Sequence, residues 1–281
     1  MSDPSGNGAA PDSDDGAVPL RLGGMALRNG LLIHGPRAWA VAARSAGGEI
    51  EVASGPKPVF GGRLREVPLF RGPLRLAEAF AVVPLARRRL RSARLPIEDP
   101  GVIAAALGAT AASGLARRLG RVSVVRESAV AFLGALPALA ALRDPDLAAY
   151  HGVEHKAIGA YEQGRPDPAA VPKEHDRCGS NLILPMLVFT VAGQVIVERL
   201  LPDAGRLARG LATVAAVSAA VELFAYAERN PGSGVAGVVH GSGREIQRRV
   251  STREPTPDQL DVGRAALHEV LRAEAELADT V

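Results

Sequence analysis

The residues of this chain best suited to chemistry gather in one stretch. His151-Gly152-Val153-Glu154-His155 sets two imidazoles four positions apart, with a carboxylate at the third step. On a helix those three side chains share nearly one face, the histidines about a turn from each other. That geometry suits a single metal ion. Further along, His175 and Cys178 add another imidazole and the only cysteine in the protein. Nitrogen and sulfur are the preferred donors of zinc, so the expected cofactor is a divalent metal, zinc first.

The spacing of the first three residues is the reversed zinc-peptidase arrangement, in which the histidines hold the ion and the carboxylate activates a bound water. Glu154 is then the catalytic base, and His151 and His155 are ligands. The second pair leaves two outcomes open. If His175 and Cys178 both bind, the site is a closed tetrahedron and structural. If only one binds, a position remains for water and for hydrolysis. Cys178 has another reading as a reactive thiol, with Arg177 beside it favouring the thiolate. Glu222, inside an otherwise apolar run, needs a partner, and both a metal and one of the many arginines would serve. His34, His240 and His268 stand alone and are left out of the site.

These residues must be held by helices. Asp144-Pro145 is an N-cap followed by proline at the first helical position, which predicts a helix running to about Gln163. Gly164-Arg165-Pro166-Asp167-Pro168 ends it, and a Pro-rich loop delivers His175 to Cys178 back toward it. Around this core lie four apolar segments: Val102 to Ala116, Ala129 to Leu142, Leu182 to Leu201 and Leu211 to Ala227. A membrane span needs about 20 mostly apolar residues. Only the third and fourth come close, while the first two suit buried or half-inserted helices. Arginines flank nearly every segment, so charge asymmetry fixes no orientation.

The rest of the chain reads as α+β. Residues 1–20 are rich in Gly, Ser, Pro and Asp, predict a disordered tail and carry no secretory signal pattern. Residues 21–71 form a small β unit of Gly-bounded strands, including a hairpin over Ala38 to Ala53. Residues 72–243 form a helical, Ala-rich and membrane-associated region, opened by a helix at Leu74 to Arg94 whose arginine cluster suits either a helix C-terminus or lipid headgroups. Within it, Asn230 to Gly243 reads as Gly-rich and flexible. Residues 244–281 finish with an amphipathic helix opened by a capping box at Thr256 to Gln259. Aromatics make up only 4% of the 281 residues, so Ala, Leu and Val must build the core. One cysteine allows no internal disulfide. The partners this implies are membrane lipid and either a second copy or another membrane protein; neither a zinc-finger spacing nor an RNA-recognition signature points to nucleic acid.

In order along the chain, Gly23-Gly24 through Gly30, Pro68-Leu69-Phe70-Arg71-Gly72, Ser92-Ala93, Tyr150 to Lys156, Tyr161-Glu162, His175 to Ser180, Glu222, and Gln247 with Thr252-Arg253-Glu254-Pro255 resemble the pattern of the YqhQ-like family. That resemblance implies a multi-pass protein of the bacterial inner (cytoplasmic) membrane, of unknown function and described as a predicted metal-dependent enzyme. It also marks departures: Met25 and Asn29 stand where the family pattern has Gln and Glu, and His34 where it has Arg. Two functions remain in view, a membrane metal-dependent hydrolase and a non-enzymatic assembly or partner-binding protein with a structural metal site. A soluble, cytoplasmic redox or metal sensor built on Cys178 is a third.

Overall fold

The structure is a computed structural model that describes residues 19–119, 123–201 and 205–279. The expected N-terminal tail lies almost wholly outside them, as does Arg121. Among the described residues the protein is α+β, a four-stranded antiparallel sheet followed by eight α-helices.

The sheet is a simple meander of β1 (Gly23–Leu27), β2 (Gly30–His34), β3 (Ala38–Arg44) and β4 (Ile50–Pro56). Its central strands are apolar at nearly every position because both faces are covered, and successive side chains of a strand point to opposite faces. Leu31, Ile33, Ala40 and Ala42 face one way, into a core shared with Tyr150, Val153, Val262, Ala266 and Val270. Leu32, Trp39, Val41 and Ala43 face the other, against Val82 and Ala86 of α1 (Arg71–Arg89) and Leu90 just after it. Burying one such Leu or Val contributes about 1.5–3 kcal/mol, so the two layers fasten the sheet to residues 82–90 on one face and to residues 150–158 and 260–270 on the other.

Four further helices form two hairpins. α2 (Pro100–Leu119) packs along α3 (Val124–Ala141), and α5 (Ile183–Leu200) along α6 (Arg206–Arg229), with α3 against α5 and α1 against α6. α3, α5 and α6 are each long and apolar enough to cross a membrane. For α3 this corrects the sequence reading of a short, half-inserted segment. Its helix begins at Val124, five residues before the apolar run was counted, because Ser123 caps it by accepting a hydrogen bond from the Arg126 amide at 3.1 Å.

Three helices remain. α4 (Pro145–Glu162) starts where Asp144 accepts a hydrogen bond from the Asp146 amide at 3.0 Å, and packs against β1, β2 and α8 (Pro257–Ala278), which itself lies on β2, β3 and β4. α7 (Gly234–Ile246) occupies the stretch expected to be flexible. Ser233 caps the helix, and one of its glycines serves close packing, since a Cβ at Gly243 would overlap the Asn181 side chain. A single π-helical turn, Gln247–Ser251, follows it.

Candidate metal centre

α4 is buried from Leu147 to Ala160 except at His151, which is half-exposed. Its 3.6-residue repeat carries His151, Glu154 and His155 to the side where the loop before α5 returns. The His151 and His155 rings lie 4.5 Å apart between centroids. One ligand atom from each of them and Cys178 Sγ fall within 4.8 Å of one another, a grouping that could hold a metal ion.

The hydrogen bonds decide which ring nitrogens are free. His151 Nδ1 lies 2.8 Å from the carbonyl oxygen of Ser251, and His155 Nδ1 lies 2.6 Å from that of Lys173. A carbonyl oxygen only accepts, so both Nδ1 atoms carry a proton, and in the neutral imidazole the lone pair then lies on Nε2. His151 Nε2 sits 3.5 Å from Cys178 Sγ, and His155 Nε2 is buried with no partner among the described residues. Orienting a ligand imidazole through its other nitrogen is the usual second layer of a metal site.

Local backbone supplies those carbonyls. The π turn at Gln247–Ser251 aims the Ser251 carbonyl at His151, and such turns recur at functional sites. The segment beyond it runs so close to α4 that a Cβ at Gly152 would overlap the Arg253 carbonyl oxygen. The loop bearing Lys173 is fixed by Gln247, whose amide accepts from the His175 N–H at 2.7 Å and donates to the His175 carbonyl at 3.1 Å and to Ser180 Oγ at 2.8 Å. Lys156, buried beneath, donates to the Val171 carbonyl at 2.8 Å and pairs with Glu254. In the sequence these loop-fastening residues stand out only through the family pattern, since polar side chains reveal such a role only once their carbonyl partners have positions.

Burial tunes the group. It pushes the Glu154 carboxyl above the usual range, with His151 and His175 pulling the other way, and it lowers His155 to about 3. It also raises the Cys178 thiol to about 11, assisted by the charge of Glu154. The suggestion that Arg177 favours a thiolate is therefore corrected: Arg177 turns to Glu162, leaving burial to hold the proton on sulfur. A bound cation would reverse that balance, since a coordinating thiol is deprotonated outright.

Not every candidate joins the group. His175 stacks 5.7 Å from the His155 ring, but its Nε2 lies 3.0 Å from Glu162, which keeps it beside the three donors rather than among them. Glu222 is on α6, where Arg71 Nε donates to it at 2.8 Å and the Leu69 amide at 3.1 Å; the geometry gives it the arginine partner. His34, left out on sequence grounds, lines the same cavity of about 540 Å³ as His151, Glu154, His175 and Cys178. Met25 is on that wall too. Asn29 is not: it holds a loop, donating to the Arg44 and Ser92 carbonyls and accepting from the Arg94 amide. Gly24 is required at the cavity, because a Cβ there would come within 2.7 Å of the Glu154 side chain.

A sequence model of the family described as Protein of unknown function (DUF1385) matches residues 128–273, more than half of the chain. No curated protein and no solved structure matches it. The matched span runs from α3 to α8 and holds all three grouped donors, in keeping with the ordered motifs seen in the sequence. The chain belongs to the DUF1385 family, whose function is unknown.

Proposed function

We propose that this protein is a membrane-embedded metal-dependent hydrolase, with His151, His155 and Cys178 as ligands and Glu154 as general base. One observation carries the reading: the two Nε2 atoms and a sulfur gather within 4.8 Å of one another beside a cavity that His151 and Cys178 line, each imidazole already oriented through Nδ1. Three protein donors with space beside them is the pattern of catalytic rather than structural zinc. When bound there, the ion would supply a water that ionises near neutral pH.

The chain's own residues do the rest. Glu154, with its affinity for a proton raised by burial, accepts one from the nucleophile and returns it to the leaving group. Glu162 holds His175 at the cavity edge, and Ser251 and Lys173 fix the ligand rings. The apolar part of the wall, with Ala138, Ala141 and Leu142 at the end of α3, favours a substrate that has an apolar portion. α3, α5 and α6 as membrane spans account for the large apolar side chains they expose, such as Phe132, Val188, Ile196 and Leu211. The inner bacterial membrane is the proposed location.

The test is metal content by elemental analysis of the detergent-purified full chain, together with hydrolysis of a panel of ester, amide and phosphoester probes. Wild type, Glu154→Gln and Glu222→Gln should retain one zinc per chain. His151→Ala/His155→Ala should lose metal affinity by about 100-fold or more, and Glu154→Gln should lower turnover by about 100-fold or more. No metal in wild type would sink the proposal. Metal bound without turnover on any probe would leave the structural alternative.

A further inference from the structure

A second cavity, of about 490 Å³, lies away from the metal centre and is lined by four arginines, Arg28, Arg87, Arg91 and Arg94, with Glu98 as its one carboxylate. The four are not equivalent. Arg87 Nε is held by Glu98 at 2.8 Å, and Arg28 is held from behind by Asp144 at 2.7 Å and Asp99 at 3.2 Å. Arg91 and Arg94, both exposed, have no ion-pair partner among the described residues. Two guanidinium groups are thus fixed in orientation while two supply uncompensated charge.

The loop that presents the free pair is fastened at several points. Asn29 donates to the Ser92 carbonyl at 2.9 Å and accepts from the Arg94 amide at 2.8 Å, the Arg28 amide donates to the Arg94 carbonyl at 3.0 Å, and Ser92 Oγ donates to Glu51 at 2.6 Å. A rigid backbone carrying like charges toward one cavity is unfavourable by itself and becomes favourable when an anion sits between them. The planar guanidinium fork matches phosphate oxygens best.

We propose that this cavity binds a phosphate group, through Arg91 and Arg94 with Arg28 and Arg87 as oriented supports. The group is either the headgroup phosphate of an anionic lipid or a soluble phosphate. Its place in the fold favours the lipid: Glu98 and Asp99 immediately precede α2, and Asp144, which holds Arg28, follows the end of α3. That puts the arginines level with one end of the α2–α3 hairpin, the depth of the headgroup layer if α3 crosses the bilayer. Only this lipid arm rests on the membrane reading above; neither arm depends on the hydrolase.

The test uses the detergent-purified full chain in three forms: wild type, Arg91→Gln/Arg94→Gln, and Arg88→Gln/Arg89→Gln as a control that removes equal charge from exposed positions outside the cavity. Binding of inorganic phosphate is measured by calorimetry, and retention of phosphatidylglycerol against phosphatidylcholine by native mass spectrometry after reconstitution in mixed nanodiscs. A cavity variant that loses phosphatidylglycerol about tenfold or more while the control does not supports a lipid site. The same pattern with inorganic phosphate supports a soluble ligand. Equal loss in both variants, or no loss in the cavity variant, overturns the proposal.

Discussion

Two regions of this protein use similar apolar residues in opposite ways. In the body formed by the sheet, α4 and α8, the apolar side chains are inside: Leu31, Ile33, Val153, Ala266 and Val270 are buried almost completely. In α3, α5 and α6 only 17%, 28% and 22% of the apolar windows is buried. The body has a core that water drives together. The helices expose apolar surfaces compatible with contact to lipid, a solvent in which close packing and buried polar pairs hold helices together. Arg126, Glu127 and Glu198 form such a network between α3 and α5. The three candidate ligands lie where these regions meet: His151 and His155 stand on α4 of the body, and Cys178 just before α5.

The difference can be pressed with mutations. Gly152→Ala should have the largest effect, because its Cβ overlaps a backbone oxygen of the segment that carries the Ser251 carbonyl. We expect about 3 kcal/mol of destabilisation, read as a lowered melting temperature in detergent, together with reduced metal content. An unchanged melting temperature would mean that the contact between α4 and the C-terminal segment is looser than described.

Acid should act on the body before the helices. Burial, aided by Lys57, lowers His34 to about 4 from an ordinary 6.5. Its folded form resists a proton that the unfolded chain accepts, so its contribution to stability is complete above pH 6.5 and is lost as the pH falls toward 4. The loss reaches about 3 kcal/mol at most. Hydrogen exchange should show β2 and β3 opening across that window before α5 and α6 do, and His34→Gln should flatten the dependence. Exchange that rises first in the helices would reverse the comparison.

The smallest effect is expected at Gly134 in α3, where an added Cβ meets nothing within 4 Å. Gly134→Ala should change stability by about 1 kcal/mol or less, toward greater helix stability. A large loss at this position would reveal a tight helix contact on that face, supplied by another chain.

Much of the site was legible because helix chemistry is local. The cap at Asp144 and proline at the next position set the start of α4, and the spacing of His151, Glu154 and His155 then put them on one face. The sequence also identified Glu222 as a carboxylate in need of a partner, but the choice between metal and arginine depended on which helix lay beside α6. Asn230 to Gly243 misled for a related reason. Its glycines speak for flexibility when read alone, yet Ser233 caps a helix there and Asn181 presses on Gly243.

By itself, then, the sequence determined the α+β class, the start of α4, the two longest apolar helices and the candidate ligands, all of which follow from periodicity, capping and side-chain chemistry within a few turns of chain. Tertiary structure decided which donors meet. It gave His175 to Glu162 and Glu222 to Arg71, and it brought the Ser251 and Lys173 carbonyls to the two imidazoles. Those choices join residues from 13 to 151 positions apart. Across such distances a polar atom's partner is set by the packing of whole elements, which no local pattern of residues records.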